Sequence, residues 1–408
     1  MRLVKLIERF NEEPIPKKDV EKELNEAYEK DTKFENSRVL YSMCNSPPEI
    51  ARSAHLKFIE ANLGDALLYP GTQLLEKSVI NMICDLLNAP DTAGGHILNG
   101  GSEANILSLW IARNKWITKN KIRPSRQLEV IVPDSAHYSF EVACDMLQLK
   151  ILRIPLDEQF RMDVSIAEEN ITDYTCAIVG IAGTTELGVI DPIDELSKVC
   201  LHSEIHLHVD AAFGGFVFPF LVMAGWRKDI PLFDFRLRGV RSITIDPHKM
   251  GRSTQPAGAL ILRDKNDFRF INFSSYYLSS TVQHTMLGTR CSASVAAAYA
   301  VMRTFGKTGY IKMVQKCMEN TYYLCRLLKS EGFELAIEKP IAPIVVVKFP
   351  REVLGPIKKN LYTRKKWRVS ESRHPPGIRV VLMPHVRRDY LPTFVSDLKT
   401  ICRNMGII

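Results

Sequence analysis

Long apolar runs are missing from this 408-residue chain, and no stretch approaches the length needed to cross a bilayer. The amino-terminal segment MRLVKLIERFNEEPIPKKDVEKEL mixes acids and bases throughout, so it lacks the uninterrupted apolar core of a secretory signal. Paired cysteines are missing as well. The nine cysteines, Cys44, Cys84, Cys144, Cys176, Cys200, Cys291, Cys317, Cys325 and Cys402, are odd in number, scattered, and never in C-x-x-C spacing. That pattern argues against a disulfide framework or a zinc ribbon and for reduced thiols, so a cytoplasmic protein is expected. There are no internal repeats and no low-complexity tracts.

What is present is a globular composition, 46% hydrophobic and 25% charged, in a chain long enough for two domains. The formal charge is +8, and KKNLYTRKKWRVSESRH, residues 358–374, is the densest basic cluster, with Trp367 inside it. No nucleic-acid motif accompanies the cluster, so it reads as a solvated basic face. A catalytically idle nucleic-acid-binding protein is the remote alternative, and it would bind in a salt-sensitive way.

Residues 1 to about 40 read as polar amphipathic helix with breaks at Pro14 and Pro16, and they have little core of their own. From about residue 90 to 265 the pattern becomes short apolar runs separated by helical stretches: LEVIVPD, LKILRIPLD, CAIVGIAG, EIHLHVDAA, RSITIDPH and GALILRD. Such alternation predicts an α/β fold with a largely parallel sheet covered on both faces. Beyond Cys291 an alanine-rich periodic stretch predicts one or two helices, followed by a smaller α/β portion with strand candidates IVVVKF and GIRVVLMP. The expected organisation is an N-terminal helical segment (1–45) packing across a dimer, a large domain (46–290) and a small C-terminal domain (291–408).

In open α/β sheets the chemistry lies at the carboxyl ends of the strands. SAHYS, GTTELG, DAAFGG and DPHKMG stand at four such ends. Taken alone, Lys249 in DPHKMG reads as a surface lysine, but its neighbours change that. At a buried strand end, desolvation disfavours the ammonium, and a neutral amine is expected, suited to Schiff-base chemistry. Asp210 ends another strand and, if buried, needs a cationic partner, which a protonated pyridine nitrogen would supply. The competing reading is an aspartate capping the next helix. Gly100, Gly101 and Ser102 precede a helical run, where small residues let backbone N–H groups approach a phosphate; the loop lacks the G-K-[ST] of a nucleotide P-loop. His137 can lie flat over an aromatic ring. His202, His206 and His208 look like metal ligands by count, but the run is strand-like, and no metal is expected.

Together these motifs resemble the pyridoxal-phosphate enzymes of fold type I and, within them, the group II amino-acid decarboxylases. HVDAAFGG followed by DPHKMG is the most specific pair, and GGSEAN, SAHYS and AGTTELG occur in the family's order. NLGDALLYPGT, DPHKMG, LGTR and IRVVLMPHV look like the archaeal L-tyrosine/L-aspartate decarboxylases, so the resemblance extends over nearly the whole chain.

The resemblance implies pyridoxal 5'-phosphate as cofactor, bound covalently by Lys249, with His248, Gly101 and Ser102 at its phosphate and Thr185 nearby. It implies Asp210 at the pyridine nitrogen, Ala212 beneath the ring and His137 above it. Thr289 would reach the partner subunit's phosphate in a homodimer with shared sites. Arg379 would hold the substrate carboxylate, and Tyr69 is a candidate wall of the substrate pocket. FSSYYLSS resembles a mobile loop carrying a proton-donating tyrosine, for which Tyr277 is preferred over Tyr276. Asp246 stands where other members of the wider group carry asparagine, and its contact with a phosphate would be unfavourable.

The implied reaction is decarboxylation of tyrosine, aspartate or glutamate; tyramine would suit methanofuran synthesis and β-alanine coenzyme A synthesis. Another fold type I lyase, similar to sphingosine-phosphate lyase or transferring sulfur through Cys291, is the alternative, since fold does not fix reaction.

Overall fold

Strands buried on both faces need no polar alternation, and each of the six apolar runs of the first half forms a strand of one sheet. The computed structural model describes residues 10–34, 38–121, 124–227, 229–276 and 282–408. The runs are β2 (Glu129–Pro133), β3 (Lys150–Ile154), β4 (Thr175–Ile181), β5 (His206–Asp210), β6 (Val240–Ile245) and β7 (Gly258–Leu262), joined at the edge by β1 (Gly94–Leu98). Their order is β1-β7-β6-β5-β4-β2-β3. Strands β2 to β6 pair in parallel, whereas β7 runs antiparallel to both β6 and β1.

Helices α1 (Lys17–Tyr28), α2 (Glu49–Lys57) and α3 (Pro70–Leu86) precede the sheet, and α4 (Gly101–Asn120), α5 (Ser139–Leu147), α6 (Val164–Glu169), α7 (Ile193–His202) and α8 (Phe218–Met223) connect its strands. A two-residue hairpin, β8 (Phe273–Ser274) with β9 (Val282–Gln283), leads to α9 (Ser292–Ser330). The alanine-rich stretch is thus helical throughout except at Gly306, whose φ of 54° breaks it. Its earlier part packs into the core of the large sheet through Val295, Val301 and Tyr310, and its later part joins a second core through Leu324 and Leu328.

That second core belongs to a three-stranded antiparallel sheet, β10 (Ile344–Lys348), β12 (Pro376–Val381) and β11 (Ser370–Arg373), with α10 (Arg351–Lys365) and α11 (Leu391–Asn404). The strand SESR carried no apolar signal; pairing with β12 makes it a strand. No helix of the described residues is long and apolar enough to cross a membrane.

Two expectations change here. Among the described residues of the N-terminal segment the one helix is α1, which buries none of its residues, and the chain from Arg38 onward returns to the small sheet, with Leu40 N–H donating to Arg368 O at 2.7 Å and Val381 N–H to Leu40 O at 2.6 Å. The basic cluster is split between α10 and β11, and Trp367 is fully buried, its Nε1 donating to Asp397 Oδ2 at 2.9 Å. The reading of a nucleic-acid surface therefore loses its tryptophan, and Tyr362, 40% exposed, is the aromatic the cluster keeps at the surface. Lys358 and Lys365 are paired with Glu371 and Asp397.

Candidate active site

The turns after β2, β4, β5 and β6 open onto one cavity of about 280 Å³. Because those strands are parallel neighbours, their carboxyl ends face the same crevice. Gly101, Ser102, His137, Thr185, Asp210, Ala212, His248 and Lys249 all line it, as does Asp246.

The rim nearest α4 is backbone. Gly100 caps the helix at φ 115°, a conformation that side-chain-bearing residues rarely adopt, and Glu103 turns back so that its Oε2 accepts from Asn99 N–H at 2.7 Å. The first amides of α4 are thereby left toward the cavity, a cradle suited to an anion. His248 packs against this loop: a Cβ on Gly100 would lie 3.7 Å from His248 Cε1, and His248 Nδ1 donates to Ala257 O.

Asp210 sits opposite and is buried. Its Oδ1 accepts from Ala212 N–H and its Oδ2 from Asn105 Nδ2, each at 3.0 Å. It is therefore not a free helix cap, and its hydrogen-bonded carboxylate keeps lone pairs for a cationic group in the cavity. His137 Nδ1 lies 3.0 Å from Ser139 Oγ and accepts from Ser139 N–H at 3.3 Å. Burial holds its pKa below the ordinary histidine value despite the opposing charge of Asp210.

The neutral Lys249 expected from burial does not occur. Burial would lower its pKa, but the carboxylates of Asp246, 3.0 Å from Nζ, and of Asp210 outweigh that and raise it above the ordinary lysine value. Asp246 itself is buried beneath the head of α4, where a Cβ on Gly101 would meet its carboxylate oxygens at 2.9 and 3.0 Å. Its functional contact is therefore the lysine.

Other expected residues lie elsewhere. Arg379 is buried on β12; its Nη1 donates to Tyr41 O and Ser370 Oγ at 3.1 Å, and its Nε and Nη2 find no acceptor among the described residues. Tyr69 is the half-buried residue before α3, and Thr289 is exposed; neither lines the cavity of its own chain. Tyr277 lies outside the described residues, and its neighbour Tyr276 is 96% exposed. Cys291 is half-buried and does not line the cavity. His206 and His208 bond to Ser242 Oγ at 2.7 and 2.8 Å, as members of a side-chain network within the sheet.

Three contributors were not foreseen. Asn105, on the buried side of α4, bonds Asp210; a polar residue four positions after the phosphate-loop glycine was the available signal. Met43 lines the cavity, and Asn45 Nδ2 donates to Lys249 O at 2.9 Å, so the segment after Arg38 crosses over the lysine of its own chain.

A family model described as the pyridoxal-dependent decarboxylase conserved domain matches residues 17–349. A probable L-aspartate decarboxylase of Archaeoglobus fulgidus is 44% identical over 387 residues, 94% of this chain and 100% of its own. A probable L-tyrosine/L-aspartate decarboxylase of Methanothermobacter thermautotrophicus is 42% identical over 371 residues, 90% of this chain and 98% of its own. Among solved structures, a Lactobacillus brevis glutamate decarboxylase aligns with a TM-score of 0.88 at 22% identity, covering 99% of this chain and 96% of its own. A Burkholderia pseudomallei sphingosine-1-phosphate lyase aligns with the same TM-score of 0.88 at 24% identity, covering 98% and 93%. At such identities the structures establish the shared fold.

Proposed function

This chain belongs to the pyridoxal-dependent decarboxylase family and is a pyridoxal 5'-phosphate-dependent amino-acid decarboxylase; we propose that it acts on L-aspartate and L-tyrosine, releasing carbon dioxide with β-alanine or tyramine. The observation that carries the site assignment is the meeting of Lys249, Asp210 and the amides at the head of α4 around one cavity. An amine, a carboxylate and an anion cradle match the aldehyde, ring nitrogen and phosphate of the cofactor.

Bound pyridoxal phosphate supplies the electron sink into which the bond to the departing carboxylate is emptied. The chain supplies geometry and charge. Lys249 would hold the cofactor through its amine. Asp210 would face the ring nitrogen and favour its protonated form, and Ala212 and His137 would pack against the ring. Gly101, Ser102, His248 and Thr185 would hold the phosphate end, and Thr289 would serve the partner subunit's site. Arg379 orients the substrate carboxylate by its planar fork, Tyr69 walls the side-chain pocket, and Tyr277 returns a proton to Cα.

The functional unit in this reading is a homodimer. Leu56, Ile59, Leu67, Leu68 and Leu74, on α2, the turn after it and the start of α3, are all more than 60% exposed, an apolar surface that a second copy of the chain would cover. Tyramine would lead toward methanofuran and β-alanine toward coenzyme A.

The test is mass-spectrometric detection of amines from purified protein, with added pyridoxal phosphate, offered equimolar tyrosine, aspartate and glutamate, alongside Lys249→Ala. β-Alanine and tyramine formed only with the lysine intact are expected. γ-Aminobutyrate as the sole product would overturn the substrate pair.

A further inference from the structure

Asn105 is an uncharged side chain whose polar atoms all meet buried partners. It is 2% exposed, Asp210 7%, Ser139 1% and His208 0%. Its Nδ2 lies 3.0 Å from Asp210 Oδ2 and 3.0 Å from Ser139 Oγ, and its Oδ1 lies 3.0 Å from His208 Nε2. The alternation of β5 puts His206, His208 and Asp210 on one face, and Asn105 and Ser108, one turn apart on α4, meet that face.

The directions of these bonds follow from chemistry. A carboxylate only accepts, so the amide nitrogen of Asn105 faces Asp210 and its second hydrogen goes to Ser139 Oγ. The hydroxyl hydrogen of Ser139 is then free for His137 Nδ1, which also accepts from Ser139 N–H; the proton of a neutral His137 is left on Nε2. On the other side, Asn105 Oδ1 accepts only from a protonated Nε2 of His208. The Nδ1 of His208 is served by the hydroxyls of Ser242 at 2.8 Å and Ser108 at 3.0 Å. Burial holds His208 down to about 4, so it stays a neutral, single-tautomer donor at neutral pH.

We infer that Asn105 is a positioning residue that holds the carboxylate of Asp210 and the imidazole of His137 in one fixed arrangement, with His208 locking its amide from behind. The inference rests on the reading that these two side chains face the cofactor ring. Without Asn105, Asp210 loses one of its two donors and is free to rotate, and Ser139 loses the partner that directs its hydroxyl toward His137.

Two measurements test this. In the cofactor-free protein, imidazole nitrogen chemical shifts should show both His137 and His208 as neutral Nε2–H tautomers. In binding titrations with pyridoxal phosphate, Asn105→Leu should weaken affinity about tenfold or more, as loss of a hydrogen bond to a charged group predicts. The pH at which the bound cofactor's absorption changes should shift with it. His208→Gln, which keeps a terminal N–H donor, should retain more affinity than His208→Leu, and this pair carries the test if Asn105→Leu does not fold. An Nδ1–H tautomer at either histidine, affinity of Asn105→Leu within about twofold of wild type, or equal losses in the two His208 variants would overturn the inference. Asp210→Asn separates the two ideas: if it binds cofactor as wild type does, the assignment of Asp210 to the ring nitrogen fails, while the tautomers still report on the network.

Discussion

Lys249 Nζ lies 3.0 Å from Asp246 Oδ2, and the carboxylate is almost wholly buried. A largely buried ammonium paired with a carboxylate at that distance is held charged, so a nucleophilic amine forms only when the proton is taken away.

Removing the charge by Asp246→Asn leaves burial as the dominant effect on Lys249 and lowers its pKa. The midpoint for attachment of pyridoxal phosphate, followed by absorbance as pH is varied, is expected about one to two units lower in the variant. An unchanged midpoint would mean that Asp246 does not control the lysine.

Arg379 is pulled down to about 10 by burial, with Glu186 opposing, and two of its donor nitrogens have no acceptor among the described residues. Unpaired buried donors cost stability and await an acceptor. Arg379→Met is expected to raise the KM for the amino acid about tenfold or more while cofactor affinity stays at the wild-type value. Steady-state kinetics and a cofactor titration read the two effects separately; a KM equal to wild type would remove Arg379 from substrate binding.

Glu76 on α3 joins the large sheet to the start of α9. Its carboxylate pairs with Arg290, whose Nη1 also donates to Ile97 O at 3.0 Å, and its Oε1 accepts from Ile97 N–H at 2.9 Å. Burial alone would raise its pKa, but Arg290 and His96 hold it at about 2. A carboxyl depressed on folding stabilises the protein above its unfolded pKa, and the contribution is lost as pH falls from about 4.5 toward 2. That contribution is on the order of 3 kcal/mol. Arg290→Met is expected to cost about 3–5 kcal/mol by leaving the buried carboxylate unpaired. Urea unfolding at neutral pH measures that loss, and at pH 3 the gap between the variant and wild type should shrink. A gap that is independent of pH would contradict the assignment.

Leu68 and Leu74 are each 66% exposed. Leu68→Arg with Leu74→Arg is expected to convert a dimer to monomer in sedimentation analysis and to reduce activity with it, because charges resist burial at an interface. A variant that stays dimeric would place the interface elsewhere.

The strands of the large sheet were readable because each is a short β-branched run bounded by polar turns, and the residues that line the cavity were readable because parallel strands bring their carboxyl ends together. Lys249, Asp210 and His137 each stand at such an end, where local pattern and chemical type coincide. The strand Ser370–Arg373 was not readable, since its polar side chains carry no period and only pairing with its neighbour makes it a strand.

Charge state and partnership needed the tertiary structure. The lysine was expected neutral because burial was visible in the pattern of the strand, whereas the rotamers that bring Asp246 to within bonding distance were not. Trp367 stands among lysines and arginines in the chain and is buried in the small domain, because the helix α10 ends just before it and turns its ring inward. Asn105 offers one amide like any other until α4 lies across β5 and gives it Asp210, Ser139 and His208 at once. Local periodicity specifies which residues reach a strand end or a buried face; which of them touch, and hence which protons they hold, depends on distances of a few ångströms, within one turn for Asp246 and Lys249 and between distant segments for Asn105, and those are set by packing.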